Sequence, residues 1–224
     1  MVQSTGRPVA LTWRYDTTEL WADGIVHALG IVLALTAVTS LGIACAGQSP
    51  DWTTASALFY AVSLTAALGV SAAYNMWPVS PKKWLLRRFD HSAIYLLIAA
   101  TYTPFITQLK SDVLSAGVLF ALWFVAIIGI MLKLLLPGRL DRLSILFYLL
   151  LGWSGLVLYE PLISTLPLSI FWYIAVGGVL YSVGVIFHVW ERLRFQNAIW
   201  HGFVLVAAAC HVKAVLDCVA LTRM

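Results

Sequence analysis

Charge is what this chain has least of. Only 11% of its 224 residues are Asp, Glu, Lys or Arg, where a soluble domain carries roughly a quarter. That deficit excludes an ordinary water-facing fold. Cysteine is sparse too: Cys45, Cys210 and Cys218 show no CxxC spacing and each falls inside an apolar run. A disulfide framework and a thiolate zinc site are both disfavoured, and small apolar filler is the better reading. The first 24 residues, "MVQSTGRPVALTWRYDTTELWADG", lack a compact apolar region ending in small residues. No cleavable signal peptide is therefore expected, and the first span inserts as its own signal. The connections between apolar runs are short, which leaves no room for a second, soluble domain.

What is there instead is apolar length. The chain is 61% hydrophobic, its mean hydropathy is +0.89, and runs of about 20 apolar residues recur along it, as membrane-crossing helices require. Seven spans are expected, near residues 25–46, 55–77, 92–109, 113–136, 143–160, 164–188 and 198–220. Segments such as "WPVSPKKWLLRRFD", "PGRLDR", "YEPL" and "WERLRFQN" supply the Pro, Gly and charge that break them. The expected architecture is all-α: an N-terminal cytoplasmic or interfacial segment over 1–24, then a seven-helix membrane domain over 25–224.

Lys and Arg set the orientation. With the N-terminus cytoplasmic, Arg7, Arg14, Lys82, Lys83, Arg87, Arg88, Lys133, Arg139, Arg142, Arg192 and Arg194 lie inside, and only Lys110, Lys213 and Arg223 lie outside. Eleven against three places the C-terminus outside, in a bacterial-type inner (plasma) membrane. The same asymmetry accounts for the net charge of +4, so no nucleic-acid partner is expected. Leu11, Tyr15, Thr18 and Trp21 are spaced for one face of a short interfacial helix, with Asp16 and Glu19 on other faces. Trp13, Trp21, Trp52, Trp77, Trp84, Trp190 and Trp200 fall near span boundaries, as an aromatic belt requires. "YEP" at 159–161 reads as an outward-facing helix end.

Polar residues inside spans are costly and therefore informative. His27, Ser71, Asn75, Asp90, His91, His188, Asn197 and His201 gather near the cytoplasmic ends of their helices. Ser71 and Asn75 are four apart, as are Asn197 and His201, so each pair shares a helix face. Zinc takes about four N, O or S ligands, and an amide is a poor one beside imidazole. His201 is then the one good ligand of this group, with Asp90 available directly or through water. Plainer roles stand beside these. Ser71 can bond back to a carbonyl, Asp90 can cap the third helix, His91 can sit at the interface, and His27 and His188 can snorkel to headgroups. Lys213 and Asp217 suit a helix ion pair. Gly177, Gly178 and Gly184 permit close packing, within the bundle or in a homo-oligomer.

"ELWADGIVHALGI" at 19–31, "SAAYN" at 71–75, "RRFDHSAIYLLIAATYTPF" at 87–105, "LGWSGL" at 151–156, "VGGVLYSVGVIFH" at 176–188 and "NAIWHGFVLVAAACH" at 197–211 carry a resemblance. The chain resembles hemolysin III-type membrane proteins, grouped with progestin and adipoQ receptors and alkaline ceramidases. The resemblance implies that the second, third and seventh spans share a site of Ser, three His and Asp, the histidines holding zinc near the cytoplasmic face. By that likeness Ser71, Asp90 and His201 match family positions. Asn75 and Asn197 stand where the other two histidine ligands would be, so the metal site reads as degenerate.

The expected function is a metal-free membrane protein with a cytoplasmic-side polar pocket, a lipid partner and a role in membrane or lipid homeostasis. No cofactor is expected, with zinc as the alternative. The competing reading is a zinc-dependent lipid amide or ester hydrolase, with Asp90 as base and Ser71 placing water or substrate, the catalytic pair only if the chain is an enzyme. A pore-forming protein and a receptor-like module are further alternatives.

Overall fold

The structure, a computed structural model, describes residues 15–46, 51–109, 113–136, 138 and 140–221, without the Arg142 side chain. Arg7, Leu11, Trp13, Arg14, Lys110, Arg139 and Arg223, named above, lie outside the described residues. Among the described residues there is no strand. The helices are α1 (Thr17–Cys45), α2 (Trp52–Met76), α3 (Pro81–Ile106), α4 (Val113–Leu135), α5 (Asp141–Trp153), α6 (Tyr159–Thr165), α7 (Leu168–Val189) and α8 (Gln196–Leu221). A 3₁₀ turn, Ser154–Leu158, joins α5 to α6.

Local chemistry fixes where these helices begin. Asp16 accepts from the Glu19 N–H at 2.8 Å, and the Glu19 carboxylate accepts from the Asp16 N–H at 3.0 Å. This capping box starts α1 at Thr17, so Thr18 and Trp21 belong to the first turns of α1 rather than to a separate interfacial helix. Ser80 caps α3, with Pro81 at its first position, where a missing N–H costs nothing. The basic run expected to form a loop is therefore the opening of α3, and Asp90 lies well inside that helix rather than at its cap. Lys83, buried, donates to the carbonyls of Asn75 at 3.1 Å and Trp77 at 2.9 Å. A cation on the orphan carbonyls of the α2 C-terminus complements its dipole.

Among the described residues six stretches, α1, α2, α4, Leu143–Thr165, α7 and α8, are long and apolar enough to cross a membrane. The chain is thus a multi-pass membrane protein. α3 is as long, but its first turns carry Lys82, Lys83, Arg87 and Arg88. It packs between α2 and α4 and also touches α8, while α1 joins α2 to α8 and α7 lies along α8. The outer faces are apolar, with Val32, Leu35, Phe120, Phe124 and Ile186 exposed. The interior holds Leu41, Tyr60, Leu64, Phe105, Ile170 and Val215 among many alanines. Small residues let helices approach where no water-driven burial is available in lipid.

The segment from 151 to 161 departs from expectation. Tyr102 Oη donates to the Gly152 carbonyl and accepts from the Gly155 N–H at 3.3 Å. A Cβ on Gly155 would run into the Tyr102 ring, so the helix loosens to 3₁₀ there and resumes. Tyr159, Glu160 and Pro161 open α6 instead of ending a helix, since proline is tolerated in a first turn. Three glycines of α7 sit at contacts between helices. A Cβ on Gly177 would meet the His211 ring at 2.5 Å, and one on Gly184 would meet Phe203 at 2.9 Å. Gly177 and Gly184 therefore serve the α7–α8 contact. Gly178 faces Trp153, whose indole N–H donates to Ser182 at 3.0 Å. The thiols at Cys45 and Cys218 are buried, and no disulfide joins the three cysteines.

Candidate functional site

The start of α1, the end of α2, the starts of α3 and α8 and the end of α7 come together at one end of the bundle. Asn75 Nδ2 donates to the Ser71 carbonyl at 2.9 Å and approaches Ser71 Oγ at 3.4 Å. Its oxygen accepts from Asn197 Nδ2 at 3.1 Å. The two asparagines thus meet across α2 and α8. The second Asn197 N–H goes to Asp23 Oδ2 at 2.7 Å, and His201 Nδ1 lies 2.7 Å from Asp23 Oδ1.

The carboxylate at the centre of this network is therefore Asp23, which the sequence reading did not single out. Asp23 is 3% exposed and His27 is 7% exposed. His27 Nε2 stands 3.5 Å from Asp23 Oδ2, and its ring lies 4.3 Å from that of His201, centroid to centroid. Asp23, His27 and His201 together could hold a metal ion, with one ligand atom from each lying within 4.8 Å of the others. His27 does not snorkel to a headgroup; it faces inward against α8. The signal was present in the sequence, because Asp23 and His27 are four apart on one helix face, at the depth of His201.

Asp90 is elsewhere on the same wall. Its carboxylate lies 3.7 Å from Nδ1 of its neighbour His91, and that nitrogen is 2.8 Å from the Arg87 carbonyl. His188 packs against Trp200 with ring centroids 5.0 Å apart. Trp200 lines the interior, so it is not a belt anchor, whereas Trp21, Trp52, Trp77 and Trp190 are exposed. Trp84 lies under the Arg87 guanidinium, 5.4 Å from its ring centroid.

These groups border a cavity of about 1540 Å³. Ser71, Asn75, Asp90, His91, Asn197 and His201 line its polar end, and Phe105, Leu162, Phe171, Ile174 and Leu205 line the far end. Asp141 lies on the rim, bonded to Arg87 at 2.6 Å and to Lys133 at 2.7 Å. Burial pushes its carboxyl up, but those two cations outweigh burial and hold it below the usual carboxylate range. At the other side of the network, Glu19 accepts from the Phe195 N–H at 2.9 Å. Gln196 donates to the His188 carbonyl at 2.8 Å. These bonds tie α1 to the α7–α8 connection and fix the register that sets Asp23 against His201.

The profile of the family described as Haemolysin-III related matches residues 16–212. The chain belongs to the haemolysin-III related family. It is 35% identical over 202 residues to a "Hemolysin-3 homolog" of Bacillus subtilis (strain 168), covering 90% of this chain and 95% of that protein. It is 36% identical over 195 residues to "Hemolysin-3" of Bacillus cereus, covering 87% and 89%. A "Monocyte to macrophage differentiation factor" of Homo sapiens is 30% identical over 214 residues, covering 90% and 86%. No solved structure matches the chain.

The three-histidine zinc set that the resemblance implies does not fit positions 75, 197 and 201. Asn75 and Asn197 present amides that are bonded to each other, and Asn197 also to Asp23, and neutral amides are weak zinc donors.

Proposed function

We propose that this haemolysin-III related protein binds a membrane lipid in its interior cavity and serves membrane lipid homeostasis, without the three-histidine metal set that the family resemblance implies. The carrying observation is the two-ended lining of the cavity, polar at Ser71, Asn75, Asp90 and His201, apolar at Phe105, Phe171 and Ile174. A site of that kind suits an amphiphile with its headgroup hydrogen-bonded and its chain among apolar side chains. Its volume, about 1540 Å³, exceeds the roughly 300–1,000 Å³ of sites for drug-sized molecules.

The proposed topology has seven crossings, with the N-terminus cytoplasmic and the C-terminus outside. α3 supports the seventh crossing: it has 26 residues, about 39 Å of helix, and Ser92–Ile106 carries no formal charge. The polar end of the cavity then faces the cytoplasm, and the protein sits in the plasma membrane. A reporter fused to the C-terminus should be active only outside the cytoplasm, and activity inside overturns this orientation.

Native mass spectrometry of the protein released from gently solubilised membranes tests the lipid reading. One retained phospholipid or fatty acyl lipid per chain is expected, and Ala175→Trp, which fills the cavity from α7, should remove it. Retention undiminished in that variant places the lipid on the outer surface and refutes an interior site.

A further inference from the structure

We propose that Asp23, His27 and His201 form a binding site for a divalent transition cation of the zinc class, built by α1 and α8. The site shares only His201 with the three-histidine pattern and takes its other two ligands from a helix outside that pattern. It shares His201 with the polar lining of the cavity but does not depend on a lipid being bound there.

The donor set comes first. Two imidazoles and one carboxylate are the ligand types zinc accepts, and three protein ligands with a remaining open position is a common arrangement. The geometry comes second. Ligand atoms about 2.0–2.1 Å from a tetrahedral ion lie about 3.3 Å from one another. His27 Nε2 and Asp23 Oδ2 are 3.5 Å apart, already at that spacing. His201 Nδ1 lies 2.7 Å from the other carboxylate oxygen, Oδ1, and one donor atom from each of the three residues lies within 4.8 Å of the others, so side-chain rotation has to draw them together around an ion.

The third observation is independent of both. His27 Nε2 is fully buried and meets Asp23 Oδ2 only at 3.5 Å, the outer limit of a hydrogen bond. A contact that long gains little, since hydrogen bonds are strongest at about 2.9 Å and weaken beyond about 3.2 Å. The nitrogen is aimed at Asp23, where an ion between them would bond to both more closely than they meet each other. Asp23 is otherwise served by Asn197 and His201, so the amide at 197 supports the carboxylate instead of binding metal itself. His27 and His201 line the main cavity whereas Asp23 lies behind them, which leaves the ion's remaining position open to the cavity.

The test uses the full chain in detergent, stripped with chelator and titrated with Zn²⁺ and with Co²⁺. Bound zinc is measured by elemental analysis, and cobalt by the visible absorption of a four-coordinate site. About one ion per chain is expected. His27→Gln and Asp23→Asn, both close in shape to the parent, should weaken binding by more than about 100-fold, beyond the ~10–100-fold that a merely orienting partner costs. Asp90→Asn should bind like the parent, and thermal unfolding of each variant verifies that it is folded. The assignment is overturned if the parent binds neither ion at micromolar concentration, or if folded His27→Gln binds normally. It is also overturned if Asp90→Asn is the variant that loses the ion, or if Asp23→Asn weakens binding only within the orienting range. Lipid retention is read separately, so failure here leaves the cavity proposal standing and the reverse also holds.

Discussion

Asp23 and His201 should be energetically coupled, and Asp90 and His201 should not. The perturbation is a pair of double-mutant cycles in chelator-treated protein, Asp23→Ala with His201→Ala and Asp90→Ala with His201→Ala. Asp23 is 3% exposed and lies 2.7 Å from both His201 Nδ1 and Asn197 Nδ2. Hydrogen bonds to a charged group contribute about 1.5–3 kcal/mol each. Removing one member of a buried pair costs about 3–5 kcal/mol, since the partner is left unpaired. Asp23→Ala alone should therefore destabilise by about 3–5 kcal/mol. For a chain of this size that is roughly 6–20 °C in Tm, at about 2–4 °C per kcal/mol.

The coupling within the Asp23–His201 cycle should be about 1.5–3 kcal/mol, the value of the one bond they share. For Asp90 and His201 the two effects should add to within about 0.5 kcal/mol, as for residues without a common partner. Equilibrium unfolding in mixed micelles gives both numbers. Additive effects for Asp23 and His201 would refute the network described here. Strong coupling of Asp90 to His201 would restore the carboxylate that the family resemblance implied.

Spans were legible in the sequence because apolar length is a property of composition, and α2, α4, α7 and α8 lie close to the expected windows. Starts were less legible where polar residues extend a helix beyond its apolar run. α3 begins at Pro81 because Ser80 caps it and Lys83 is drawn in to the α2 carbonyls, a tertiary effect invisible to hydropathy. The break at Ser154–Leu158 depends on Tyr102 reaching between Gly152 and Gly155 from another helix. In the site, the i,i+4 rule found the pairs that match the family pattern and overlooked Asp23–His27. A carboxylate and a histidine in "WADGIVHALG" obey the same spacing at the same depth. What no spacing rule supplies is which helices touch: α1 packs on α8, and that contact makes Asp23 the partner of His201.

Asp141→Asn should destabilise by about 1–3 kcal/mol, between an exposed and a buried pair, because it strands Lys133, which is 4% exposed. In the parent this contribution is present above the unfolded carboxyl pKa of about 3.9 and is lost as pH falls through the lowered folded value. A pH series of unfolding midpoints for parent and variant should converge only in acid. Gly129→Ala should cost about 1–3 kcal/mol by overpacking, since its Cβ would fall 2.5 Å from the Tyr95 ring. Gly117→Ala, where no atom lies within 4 Å, should leave the midpoint within about 0.5 kcal/mol of the parent. The last prediction restores histidine at the amide positions. Asn75 and Asn197 already touch at 3.1 Å, so Asn75→His/Asn197→His places two further imidazoles beside His201, a complete set of nitrogen donors for zinc. In that background His27→Gln should no longer matter for zinc binding, because the ion has three histidines without α1. If zinc binding in the double-histidine protein still collapses with His27→Gln, positions 75, 197 and 201 do not converge on one ion, and the reading of the amides as vacated ligand positions is wrong.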